Sequence, residues 1–184
     1  SLKSSDRGAK KKYALLDKED EIKITGFETV RRNWSKIAKD VQQKVLKLVL
    51  QDKKEEALDY VKKVVTDLKK GRVSLNKVII RTQITKDLSK YSSVGPHVAV
   101  ALRMVRNGES VIPGTVVEYV IGKGSGLVRD KAKLVSELRD GEYDASYYLN
   151  HQIIPAVMGI FEVLGYKEDE IFAESSQKGL GGWF

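Results

Sequence analysis

The sequence contains no cysteine. Disulfides and thiolate zinc sites are excluded, and an intracellular, cytoplasmic location is expected. Histidine is almost as scarce, with only His97 and His151. That leaves little for histidine-based catalysis. Ser125 in "GKGSGLV" has the letters of a nucleophile elbow but neither a base nor an acid partner, and the stretch reads more simply as a turn. No apolar run approaches the roughly 18 residues that a membrane span needs. No apolar signal segment opens the chain, so no membrane partner is expected.

What is present is charge and a moderate core. The 184 residues are 41% hydrophobic and 32% charged, a balance typical of one globular domain or two small ones sharing a core. Lys plus Arg outnumber Asp plus Glu by 33 to 25, a formal charge of +8. Such an excess favours polyanionic partners, nucleic acid above all. Rich Lys/Glu usage without cysteine leans toward a thermophile.

Periodicity gives a coarse order of elements. "KKKYALLD" and "EIKITGFETV" alternate as two strands around an acidic turn, after a polar lead-in over residues 1–9. Trp34, Ile37, Ala38, Val41, Val45 and Leu48 then follow helical spacing, with Asn33 as candidate N-cap. Asp52 and Glu55 resemble a capping box for a second helix carrying Ala57, Tyr60, Val61, Val64, Val65 and Leu68. Gly71 is placed to stop it. "KVIIRTQI" predicts a strand. Pro96 opens a third helix with Val98, Ala101, Leu102 and Val105 on one face, and Gly108 ends it. "GTVVEYVIGKG" is a strand leading into a Gly-Ser-Gly turn. A last helical region runs from about Asp144 to Leu164, with a kink or break expected at Pro155. The fold class is helix-rich α+β.

The acidic runs "DKEDE" and "YKEDE" read as solvated turns, because two-metal chemistry needs carboxylates that converge on ions about 3.5–4 Å apart. The cations are more telling. Lys10, Lys11 and Lys12 precede Tyr13. Arg31 and Arg32 sit between a strand and a helix. Lys86 and Lys90 flank a polar loop, and Lys123, Arg129, Lys131 and Lys133 surround the glycine turn. Flexible cations beside glycine turns suit a phosphate backbone, which asks for charge and close approach.

Taken in order, these segments resemble the C-terminal part of an archaeal family B DNA polymerase. "KKKYALLD" is similar to that family's Lys-Lys-Arg-Tyr-Ala motif. "GFETVRRNWSKIAKDVQQKVL" resembles the start of its thumb. "QITKDLSKYSSVGPHVAVALR" and "PGTVVEYVIGKGSG" resemble the thumb tip, and "YDASYYLNHQIIPAVMGIFEVLGY" its closing helices. The resemblance runs from about residue 10 to the end. It implies a polymerase thumb with a small β-subdomain at the tip and an N-terminal palm-edge β-hairpin. The parts would be a lead-in (1–9), palm-edge strands (10–32), thumb (33–174) and tail (175–184).

The resemblance also implies roles. Lys10, Lys11, Lys12 and Tyr13 would touch primer–template DNA. Arg31 and Arg32 would lie at the palm–thumb junction. Thr85, Lys86, Tyr91 and His97 would face the duplex, and Lys123 and Ser125 would approach its backbone. Lys12 stands where the family often has arginine, keeping the charge without the planar fork. His151 stands where asparagine is common. The tail "QKGLGGWF" matches a sliding-clamp peptide at Gln177, Leu180, Trp183 and Phe184. A tight turn would gather its apolar groups into one plug.

The family's Asp-Thr-Asp and Ser-Leu-Tyr-Pro motifs are missing. No cofactor is therefore expected on this chain, and Mg2+ is expected on a large catalytic partner carrying exonuclease, palm and fingers. The expected identity is the small subunit of a polymerase encoded in two pieces, with a fragment as the other origin. The alternative function is a stand-alone clamp-tethered DNA-binding factor.

Overall fold

The computed structural model describes residues 2–3, 13–16, 22–25 and 33–176, with side chains from 33 to 172. Strands β1 (Leu2–Lys3), β2 (Tyr13–Leu16) and β3 (Ile22–Thr25) form an antiparallel sheet in that order, with Tyr13 opposite Thr25 and Leu16 opposite Ile22. The two strands read from the alternation are β2 and β3. Leu2–Lys3 adds a third strand inside the segment read as a loose lead-in.

Helices α1 (Lys36–Leu50) and α2 (Lys54–Lys69) pack as an antiparallel pair. Their stripes work as the spacing predicts: Ile37, Ala38, Val41, Val45 and Leu48 are buried, as are Ala57, Val61, Val65 and Leu68. Two capping expectations fail. The N-cap of α1 is Ser35, not Asn33, and its hydroxyl makes no cap bond. It is drawn into a tertiary contact with Gln152 instead. Asp52 does not cap α2, which begins after Lys53 without a side-chain cap. Asp52 ends α1 in the left-handed region at φ 60°, which Asp tolerates better than most residues. Around it, Lys53 N–H donates to the Leu48 carbonyl (2.8 Å) and Asp52 N–H to that of Val49 (3.1 Å), the Schellman pattern.

After α2 the chain forms the short helix α3 (Leu75–Val78) and leaves the helical layer. Strands β4 (Ile80–Gln83), β5 (Val116–Ile121) and β6 (Ala132–Lys133) make a second antiparallel sheet in the order β4-β5-β6. Helix α4 (Pro96–Arg106) packs on β5 and β6, and the one-turn helix α5 (Val128–Lys131) packs on α4. Val98 and Ala101 face the core, but Val105 is 45% exposed, one turn beyond where the sheet covers the helix.

The closing region begins with α6 (Ala145–Tyr148), passes through a π-helical stretch at Leu149–Ile153 and continues as α7 (Ile154–Val163). At Pro155, where a kink or break was expected, the helix does not break, and a wider π turn lies just before it. Proline removes a donor from the ladder, and the π register re-spaces the bonds without ending the helix. A further helix, α8 (Glu168–Ser176), lies beside α2. Its first turn holds Glu168, Asp169 and Glu170, where carboxylates favour the positive end of the helix dipole. "YKEDE" therefore opens a helix and is not a turn.

Two tyrosines tie the layers together. Tyr148 is fully buried, and its hydroxyl donates to the Val78 carbonyl (2.7 Å) while accepting from Ile121 N–H (3.1 Å). Tyr143, also fully buried, donates to the Leu68 carbonyl (3.0 Å) and accepts from Val73 N–H (3.2 Å). Burial pushes both phenols up, so neither ionises at neutral pH. Nearby, Gly71 and Gly141 touch backbone to backbone. Gly141 sits at φ 84°, and a Cβ there would lie 3.0 Å from the Gly71 carbonyl oxygen.

Tyr148→Phe removes the shared partner of two buried backbone groups. A loss of about 1–3 kcal/mol is expected, read as a lower denaturant midpoint with an unchanged slope in an unfolding titration.

Candidate nucleic-acid interface

The loop after β4 carries Thr85, Lys86 and Asp87, followed by a single 3₁₀ turn at Leu88–Lys90. Tyr91 organises this loop. Its hydroxyl accepts from Thr85 N–H at 3.0 Å and lies 3.4 Å from Thr85 Oγ1. The Lys86 ammonium sits 4.9 Å above its ring, a cation–π distance. The His97 ring meets it edge-on at 5.7 Å. The Thr85 hydrogen bonds and the Lys86 charge hold the Tyr91 phenol below its ordinary value of 10.0. His97 occupies the first turn of α4, just after Pro96. Partial burial lowers its pKa from 6.5, so it is neutral at pH 7. The four residues Thr85, Lys86, Tyr91 and His97 are thus brought into one cluster. Lys90 is close by but already pairs with Asp87 (3.0 Å).

A second cationic loop follows β5. Gly124 and Gly126 adopt φ 141° and 100°, which frees the backbone to turn sharply around the exposed Ser125. Lys123 is exposed, and its N–H is fixed by the Glu142 carbonyl (3.1 Å). The neighbouring cations are less available than their positions in the sequence imply. Lys131 is bound to Asp144 with both side chains largely shielded. Asp144 is partly desolvated, which raises its pKa, but the Lys131 contact and the Tyr147 and Ser146 amides outweigh this and lower it overall. Asp144 also caps α6 through Tyr147 N–H (3.0 Å). Arg129 leans on Asp130 (3.8 Å).

The two loops lie at opposite ends of β5. Gln83 pairs with Val116 at one end and Ile121 precedes the glycine turn at the other. At about 3.4 Å per residue the ends are roughly 17 Å apart. Helix α4 spans the interval. It starts at Pro96 beside the first loop, and Arg103 donates to the Ala132 carbonyl (2.7 Å), opposite Ile121.

Lys10, Lys11, Lys12, Arg31 and Arg32 lie outside the described residues, as do Gln177, Leu180, Trp183 and Phe184. Tyr13 belongs to β2 by its backbone alone. Among the described residues, no group of three or more His, Asp or Glu side chains is gathered to hold a metal ion. No helix of those residues is long and apolar enough to cross a membrane. A cavity of about 330 Å³ opens between α1 and α2, lined by Ile37, Val41, Tyr60, Val64, Asp67 and Lys77 among others. Its Asp67 carboxylate is engaged by Lys63 (2.8 Å) and lies 3.7 Å from Arg72.

A helical layer carrying a small sheet, with cations on turns at both ends of one strand, has the chemistry of a polyanion-binding module. The comparisons with known proteins are more specific. Residues 8–164 match the family described as DNA polymerase family B, and the chain belongs to that family. It is 46% identical over 179 residues to a DNA polymerase of Thermococcus aggregans, covering 95% of this chain and 10% of that protein. With a Thermococcus gorgonarius DNA polymerase it shares 46% identity over 178 residues, 95% of this chain and 23% of the relative. The solved family B DNA polymerase of the hyperthermophilic archaeon Pyrobaculum calidifontis superposes with a TM-score of 0.74 at 39% identity, over 87% of this chain and 21% of that one. The chain therefore spans a tenth to a quarter of the length of these relatives.

Tyr91→Phe removes the acceptor of the Thr85 amide proton. Hydrogen exchange at Thr85 is expected to quicken about tenfold, while amides inside β5 keep their protection.

Proposed function

We propose that this chain is the thumb of a family B DNA polymerase, with the adjoining palm edge, and that it grips primer–template duplex during template-directed DNA synthesis in replication. The observation that carries this reading is the prearranged cluster of Thr85, Lys86, Tyr91 and His97 on an exposed loop. Its lysine is held over an aromatic ring, and among the described residues it pairs with no carboxylate. Strand β5, which separates this loop from the Lys123 turn, is roughly 17 Å long, about half a turn of B-DNA. The two loops can thus address separate stretches of phosphate backbone on one duplex. His97 would contribute shape and hydrogen bonding there. Lys11, Lys12 and Tyr13 would add minor-groove contacts, and Arg31 and Arg32 would support the junction with the palm.

The catalytic carboxylates, their Mg2+ ions and the nucleotide pocket would belong to the remainder of the polymerase, the large catalytic part with exonuclease, palm and fingers. The tail from Gln177 to Phe184 would dock on a sliding clamp. Its aromatic pair would supply the anchor of that contact. Holding DNA and clamp together would raise the effective concentration of each for the other.

Lys86→Ala and Lys123→Ala should each weaken duplex binding about equally for unrelated sequences. Each should also reduce the slope of log affinity against log salt by about one. Affinities and salt slopes equal to those of the unmutated protein would remove both loops from the interface.

Trp183→Ala combined with Phe184→Ala should abolish clamp-stimulated extension by the assembled polymerase and leave clamp-free extension unchanged. Equal loss of both activities would assign the tail a structural role.

A further inference from the structure

Gln152 is 3% exposed and lies in the π-helical stretch Leu149–Ile153. One side chain there serves three partners at the far end of the sequence. Its Oε1 accepts from Ser35 N–H (2.8 Å) and from the Ser35 hydroxyl (2.8 Å). Its Nε2 donates to the Asn33 carbonyl (3.3 Å). Between these contacts Trp34 is driven into the core at 5% exposure. A second buried amide runs the other way, as Gln42 of α1 donates from Nε2 to the Ala156 carbonyl (2.8 Å). Two buried glutamines therefore join this part of the molecule, Gln152 holding the entry to α1 from the π turn and Gln42 holding α7 from α1.

Residues 33–35 are where the chain passes from the segment bearing β1–β3 into the helical layer. A buried amide gives little net stability over an apolar group of the same shape, because its hydrogen bonds replace bonds to water. What it adds is direction. Three bonds from one planar group are satisfied in one orientation of Asn33–Ser35 only, and an orphaned partner is costly in the others. The π turn matters here because its wider register differs from the α-helical spacing on either side and sets where the amide projects.

We infer that Gln152 is a positioning residue: it fixes the link from Asn33 to Ser35, and so sets the angle at which the chain enters the helical layer there. The consequence for synthesis rests on the polymerase reading above, in which that angle aligns the duplex grip with the catalytic part. Gln152 touches neither DNA nor nucleotide in this scheme and acts through the chain it holds.

The test uses the complete polymerase that contains this chain. Gln152→Met keeps the volume and removes all three bonds; Gln152→Glu keeps the acceptor for Ser35 and loses the donor to Asn33. Gln152→Met is expected to raise KM for primer–template about tenfold. Its single-turnover incorporation rate should stay close to that of the unmutated enzyme, although the orphaned buried groups lower its melting temperature. Gln152→Glu should fall between the two. The Ser35 amide, which donates directly to Gln152, should exchange about tenfold faster in Gln152→Met, with α1 interior amides unchanged. An unchanged KM in Gln152→Met would overturn the inference. So would a fall in rate and melting temperature together, which marks a residue that only supports folding. If the unmutated enzyme extended no primer, the polymerase reading would fail, and Ser35 exchange would still decide whether Gln152 holds the link.

Discussion

The arrangement depends on two phenol groups that never reach water. Tyr143 and Tyr148 lie on the stretch that returns from the β4-β5-β6 sheet to the helices. Each hydroxyl serves one backbone donor and one backbone acceptor. A buried carbonyl or amide without a partner costs about 1–3 kcal/mol, so these two groups settle four such debts where the sheet meets the helical layer. Their rings meet at 6.0 Å and 90°, an edge-to-face geometry that resists rotation of one relative to the other. With the layers fixed in this way, the loops at the two ends of β5 acquire a defined separation. A fixed separation is what a grip on a regular polymer requires.

The same economy governs the charges. A formal excess of +8 describes the whole chain, but the structure sorts cations by neighbour. Lys131 is committed to Asp144, Lys90 to Asp87, and Arg81 to Glu118 across the sheet. Lys86 rests on an aromatic face, and Lys123 stands exposed beside a glycine turn. An ammonium on a ring keeps its full charge for an incoming anion while losing part of its freedom to wander. Tyr91 therefore matters more through what its hydroxyl and ring hold in place than through a contact of its own.

Much of the helical layer was legible from spacing. The stripes of α1 and α2 are amphipathic, and burial follows them residue by residue. Gly71 and Gly108 mark helix ends as read, because the left-handed cap asks for a residue without Cβ. Strands β2, β3, β4 and β5 were visible as runs of apolar and β-branched residues. What stayed hidden was set by contacts between residues far apart in sequence. Ser35 forgoes local capping because Gln152 lies 117 positions away and accepts its proton. Gln42 and Gln152 look like surface residues by type, and only the fold reveals them as buried. Helix α8 is a short element whose acidic opening resembles any solvated turn. In the candidate interface, Thr85, Lys86, Tyr91 and His97 came from family resemblance, since nothing in their spacing shows that Tyr91 would gather the other three. Lys131 read as available because its partner Asp144 is 13 positions on and part of another element.

The contact between Gly71 and Gly141 has an evolutionary corollary. The chain leaves the helical layer shortly after the first of these residues and returns at the second, so everything between them is a closed excursion with adjacent ends. Such an excursion can lengthen or shorten in its outer loops at little extra cost of closure, provided that Val73, Val78 and Ile121 keep their bonds to the two tyrosines. The crossing glycines are the neck through which the small sheet and its two loops are carried.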